Sequence, residues 1–68
     1  MSHYTVHVTR DGGWWMIHVP ALDEYNAGRW PGQALTQARR FAEIEREAID
    51  YICTVTDSAP GDVAISVV

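Results

Sequence analysis

Apolar and polar residues alternate along the first 20 positions of the chain, which is the pattern of half-buried β-strands. The alternation is interrupted at Asp11-Gly12, a dipeptide that favours a hairpin turn because it tolerates positive φ. With these two residues as the loop, all inward positions form apolar pairs: Val8–Trp15, Val6–Ile17 and Tyr4–Val19. The other face carries Thr9–Trp14, His7–Met16 and Thr5–His18. A slip of one residue would turn polar side chains inward, so the pattern favours this pairing.

A loop follows the second strand. Pro20 cannot donate a ladder hydrogen bond and closes the strand, and residues 22–32 contain Asp, Asn, Pro and two Gly. Trp30 lies in this loop, where it either folds back on the edge of the domain or anchors a partner.

One amphipathic helix is predicted in the second half of the chain. Its apolar stripe, at spacings of three and four, consists of Phe41, Ile44, Ala48, Tyr51, Ile52 and Val55. Glu43, Glu47 and Asp50 fall on the opposite, solvated side. On residue preferences alone, either the helix begins near Gln33 or residues 35–37 form a short third strand before it. The turn-forming residues 57–61 end the helix.

Residues 62–68 alternate again and predict a final strand. Together these elements predict a single α+β domain spanning residues 1–68. Its expected architecture is an antiparallel β-sheet of three to four strands, in the order β-β-β-α-β when the third strand is present, with one helix packed on one face.

Length and charge restrict the class of protein. A chain of 68 residues builds one hydrophobic core. Its net charge of −4 argues against nucleic-acid binding and favours a basic protein partner. No apolar run is long enough to cross a bilayer, and Cys53 is the only cysteine, so we predict a cytoplasmic protein in which Cys53 is structural.

The sequence predicts neither an enzyme nor a cofactor. Asp11 is expected in a turn and the helical acids on a solvated face, so the carboxylates do not converge as hydrolysis by divalent metal requires. His7 and His18 are expected as diagonal neighbours on the outer sheet face, which His3 shares. Because no cysteine or carboxylate is placed to complete a ligand shell, we predict no metal site.

The same sheet face is the best candidate for binding a partner. It carries Trp14, Met16, His18 and His7, and a single helix cannot cover both sides of a sheet. A cluster of large apolar side chains left in solvent favours a protein interface. The final strand is expected at a sheet edge, where Ala64, Ser66 and Val68 put little charge, and this favours a homodimer.

Several short motifs occur together and in order: Tyr4-Thr5-Val6, Gly12-Gly13-Trp14, Val19-Pro20-Ala21-Leu22, Thr36-Gln37-Ala38 and, in the helix, Arg46-Glu47-Ala48-Ile49-Asp50-Tyr51-Ile52. In this order the chain resembles the HicB-like antitoxins over nearly its whole length. The resemblance implies a partial RNase H fold, with Leu35–Ala38 as the third strand and a helix that starts near Arg39. The chain departs from the family pattern in its longer loop over residues 23–34. We also expect no DNA-binding segment of the kind that usually follows in the family, so that the chain is either a fragment or unable to repress DNA alone.

The resemblance also implies a function. Such an antitoxin binds a small basic toxin of the HicA type, which cleaves messenger RNA, and neutralises it by occlusion. The residues expected to bind the partner are Trp14, Met16, His18, His7, Trp30, Glu43, Glu47 and Asp50. The alternative is a small nucleic-acid-binding or dimerisation module without a toxin partner.

Overall fold

The computed structural model describes residues 2–26 and 34–68, so Trp30 lies outside the described residues. One helix, α1 (Ile44–Thr56), packs on a four-stranded sheet. The strands are β1 (Ser2–Asp11), β2 (Trp14–His18), β3 (Leu35–Ala38) and β4 (Val63–Val67). Short 3₁₀ helices at Pro20–Asn26, Phe41–Glu43 and Pro60–Asp62 lie between them. The predicted α+β class, with one helix and a third strand at 35–38, is confirmed.

The sheet is mixed rather than wholly antiparallel as predicted. Its order is β3-β2-β1-β4, and both pairs that involve β2 are antiparallel. Strand β4 runs parallel to β1, in a register from Ser2 opposite Val63 to Val6 opposite Val67. The reason is the helix: α1 carries the chain from β3 across the sheet to its other edge, and a helical crossover of this kind joins parallel strands.

The hairpin turn is Gly12-Gly13, not Asp11-Gly12. Gly12 has φ of 61°, and positive φ at the first of two loop positions is what a type II′ turn requires. The predicted pairs are therefore wrong: Val8 lies opposite Ile17 instead of Trp15, a shift of two residues along β2. Because side chains alternate with period two, such a shift leaves every residue on its predicted face.

The core lies between the inner sheet face and α1. Val6 and Ile17 are completely buried, and Val8 and Trp15 pack against the core from its margin. The prediction that these four side chains turn inward is confirmed. Helix α1 contributes Ile44, Ala48 and Ile52, and the 3₁₀ helix after β2 contributes Leu22, although its segment was predicted to be an irregular loop.

Helix α1 begins later than the predicted start near Arg39. Arg40 is extended, with φ of −123° and ψ of 143°, and a 3₁₀ turn over Phe41–Glu43 precedes the helix. Phe41 was predicted in the buried stripe, but it is 68% exposed because it lies in that turn. Its ring meets the Trp15 ring edge-on, with 5.3 Å between the centroids. The rest of the stripe is buried or half-buried as expected.

The helix ends at the predicted turn. Asp57 adopts a left-handed conformation with φ of 55°, and its N–H and that of Ser58 both donate to the carbonyl oxygen of Cys53. Within the described residues, no helix combines the length and the apolar character that a membrane crossing requires.

Candidate functional site

We call the sheet face opposite α1 the outer face. It carries alternate side chains of β1, β2 and β3: Thr5, His7, Thr9, Trp14, Met16, His18, Leu35 and Gln37. Trp14 and Met16 are half-buried, and Leu35 is 37% exposed. The outer face therefore leaves large apolar side chains partly in solvent, as the sequence predicted.

The two central histidines face each other directly across the strands, not diagonally as predicted. His7 is opposite His18 in the ladder, and their ring centroids lie 6.2 Å apart with the planes tilted by 54°. Met16 lies opposite Thr9, and these two residues form the next pair on the same face of the sheet. Both histidines, Met16, Thr9 and Leu35 line one open cleft.

Asp23 holds His18 in place and was missed by the sequence analysis. Its carboxylate accepts a hydrogen bond from Nε2 of His18, at 2.9 Å to Oδ1 and 3.2 Å to Oδ2. Oδ1 also accepts the backbone N–H of Ala34 at 2.7 Å, and the Ala34 carbonyl accepts the N–H of Val19 at 3.0 Å. The carboxylate thus ties the end of β2 to the start of β3.

These contacts hold Asp23 in its ionised form. The N–H of Ala34 contributes most to lowering the pKa of Asp23 below its ordinary value of 3.8. Partial desolvation opposes this effect, while the hydrogen bond and the charge of His18 lower the pKa further. No signal in the sequence points to this contact, because it joins a residue of a 3₁₀ helix to a strand side chain and to the backbone of Ala34, without any periodic spacing.

Because folding lowers the pKa of Asp23, the free energy of unfolding depends on pH in the acidic range. The contribution of Asp23 is fully present above its unfolded pKa and is lost as the pH falls through the still lower folded value. We therefore expect the stability advantage of the wild type over Asp23→Asn, measured by urea unfolding, to shrink as the pH falls below about pH 4. Asp62→Asn, at an exposed aspartate outside this contact, is the control and should keep the wild-type profile. Parallel profiles for wild type and Asp23→Asn would contradict the assignment.

A second cleft joins the outer face to the acidic side of α1. Trp14 and Gln37 from the sheet, Arg39 after β3, and Glu43 and Glu47 line it together. The guanidinium carbon of Arg39 lies 4.9 Å from the centroid of the Trp14 ring. We call this the β3-edge cleft. Two groups of predicted partner-binding residues, one aromatic and one acidic, thus lie side by side.

Not all of the predicted residues join this surface. Asp50 is exposed on a different cleft, which it shares with Glu45, Arg46, Ile49 and Pro60. Asp50 therefore does not line the β3-edge cleft with Glu43 and Glu47, and its part in partner binding stays a prediction. Asp50 follows Glu47 by three residues, so it lies about one helical turn further along the same side of α1.

Arginines cover both tryptophans of the hairpin. Arg10 places its guanidinium carbon 4.6 Å from the centroid of Trp15, and its Nε donates to the carbonyl of Gly12 at 3.2 Å. Together with Arg39 over Trp14, this arrangement places cation–π contacts on both sides of the sheet at the hairpin end.

Cys53 is half-buried and packs against the core.

Across residues 2–26 and 34–68, no group of three or more His, Cys, Asp or Glu side chains is arranged to hold a metal ion. Comparison of the chain with protein-family models, with curated proteins and with solved structures finds no match.

Proposed function

We propose that this chain is an antitoxin-type domain that binds a small basic ribonuclease toxin and covers its active surface. The observation that carries the proposal is the β3-edge cleft, where Trp14 of the outer face and the carboxylates of Glu43 and Glu47 share one surface. A partner seated there would meet apolar area and negative charge together. Met16 and Leu35, which line the adjoining cleft with Thr36 and Gln37, extend the apolar part along β3.

The apolar part supplies binding energy. Binding energy at protein interfaces is concentrated in a few large side chains, among which tryptophan is enriched. Trp14 is half-buried and held by Arg39, so little of its freedom is lost when a partner covers it.

The acidic part supplies attraction for a basic partner. Arg46 contacts Glu43 at 3.3 Å and Glu47 at 3.9 Å, but its own side chain is 74% exposed. Exposed pairs of this kind contribute about 0–1 kcal/mol. A lysine or arginine of a partner can therefore replace Arg46 at small cost, and the chain's net charge of −4 speeds the encounter with a basic partner.

The resemblance to HicB-like antitoxins supports the same function. The described elements follow the order β-β-β-α-β, which is the order that the resemblance implies. A cytoplasmic location belongs to this proposal, because the toxin acts on messenger RNA. A homodimer also stays a prediction: β4 is an edge strand without charged side chains, and its last residue, Val67, is 49% exposed.

The direct test is inhibition of RNA cleavage by a cognate small basic ribonuclease of the HicA type. Added domain should reduce cleavage in proportion to its amount and abolish it near an equimolar ratio. Full cleavage in the presence of a large excess would refute the proposal. A parallel titration of labelled single-stranded RNA without the toxin should show no binding. A salt-dependent shift there would mean that the domain sequesters RNA, as the alternative function requires.

A further inference from the structure

The outer face brings together side chains that are good ligands for a soft metal ion. His7, His18 and Met16 line one open cleft, which exposes two imidazoles and a thioether on the same side of the sheet. We propose that this cleft binds Cu(I) through these three side chains. The proposal does not depend on the toxin-binding function, since it concerns the isolated domain.

The spacing of the two histidines suits a shared ion. A nitrogen bound to a first-row metal at about 2.0–2.1 Å places its ring centroid about 3.2 Å from the ion, so two such rings lie at most about 6.4 Å apart. The rings of His7 and His18 are 6.2 Å apart, within this limit. Because the two residues are direct partners in the ladder, the strands fix this spacing.

Asp23 prepares His18 as a ligand. A carboxylate only accepts hydrogen bonds, so the hydrogen in the contact with Asp23 resides on Nε2 of His18. In the neutral ring this leaves Nδ1 with a free lone pair. A histidine that ligates a metal commonly donates its other N–H to a carboxylate, which orients the ring and makes it more basic.

Met16 decides which metal fits. A cleft with two imidazoles and no third His, Cys, Asp or Glu provides too few ligands for a stable zinc site. A thioether is a soft donor that favours Cu(I), and imidazole also binds copper. Met16 precedes His18 by two positions in β2 and therefore projects from the same face. The three donors thus form a triangle on two adjacent strands.

His3 offers a matched control on the same strand. It lies in β1, where alternation places it on the same side of the sheet as His7. Nε2 of His3 is 2.8 Å from Oγ of Ser66, which lies on the edge strand β4. His3 does not line the cleft that contains His7 and His18. If Cu(I) binds in the cleft, the variant His3→Ala should therefore bind it as tightly as the wild type does.

The test is a Cu(I) titration of the purified chain without oxygen, in competition with a chromophoric Cu(I) chelator. We expect one ion per chain, with an affinity reduced by about 10–100-fold in Asp23→Asn, reduced at least as much in His7→Ala and Met16→Leu, and unchanged in His3→Ala. His7 is exposed, so His7→Ala should stay folded, and circular dichroism checks each variant. A parallel Zn²⁺ titration should show weaker binding that Met16→Leu does not change.

The methyl resonance of Met16 gives an independent signal. The chain has two methionines, so the Met16 methyl can be assigned by its loss in Met16→Leu and should shift when Cu(I) binds. Absence of binding, or binding that is equally strong in Met16→Leu, would overturn the proposal. So would a loss of affinity in His3→Ala as large as that in His7→Ala.

Discussion

Replacing Ile52 by alanine should destabilise the domain by about 2–5 kcal/mol, the largest effect on stability that we expect from one substitution. Ile52 is completely buried where α1 packs on the inner face of the sheet, so the truncation leaves a cavity. Alanine is the best helix former, so the loss reports packing and not helix propensity. A domain of 68 residues has a total stability of roughly 3–10 kcal/mol, so this loss removes a large share of it. Urea unfolding followed by circular dichroism measures the difference.

Ile49→Ala is the matched control for this prediction. It makes the same change in the same helix, but Ile49 is half-buried and borders an open cleft, so it leaves less of a cavity. We expect a cost below about 2 kcal/mol, and about 0.5–1.5 kcal/mol for the milder variant Ile52→Val. Equal destabilisation by Ile49→Ala and Ile52→Ala would mean that the core does not centre on Ile52.

The sequence was sufficient to assign residues to the two faces of the sheet. Val6 and Ile17 face inward and Trp14 and Met16 outward, although the predicted register was wrong. Alternation determines only which face of the sheet each side chain occupies. It therefore cannot distinguish registers that differ by two residues. The turn makes that distinction, and both Asp11-Gly12 and Gly12-Gly13 are good turn sequences. The face was therefore predictable and the pairing was not.

Contacts between distant parts of the chain were beyond the reach of sequence patterns. Nothing in residues 63–67 shows that β4 pairs with β1 in parallel, because that pairing follows from the path of α1 across the sheet. The contact of Asp23 with His18 and Ala34 was unpredictable for the same reason, because it follows no periodic pattern and joins residues up to 11 positions apart. Phe41 matched the helical spacing but lies in a 3₁₀ turn, where that spacing no longer applies.

If the domain binds a ribonuclease toxin as proposed, Trp14→Ala should cause the largest loss of that binding. Truncation of a central tryptophan in an interface costs at least about 2 kcal/mol, which corresponds to a dissociation constant about 30-fold higher or more. Trp14 projects from the outer face, away from the core, so stability should change less than in Ile52→Ala. Losing its contact with Arg39 should cost about 0.5–1 kcal/mol. Calorimetry with the ribonuclease measures the affinity, and unfolding of the free domain measures the stability.

Phe41→Ala tests whether the effect belongs to the outer face or to any aromatic side chain in solvent. Phe41 is more exposed than Trp14, but it packs against Trp15, which belongs to the inner face. If the toxin binds to the outer face and the β3-edge cleft, Phe41→Ala should leave the affinity nearly unchanged. Glu47→Lys should instead slow association and weaken its dependence on salt, because it reverses a charge in the cleft. A toxin that bound Trp14→Ala as tightly as the wild type but failed to bind Phe41→Ala would use the hairpin end, and the outer face would lose its proposed role.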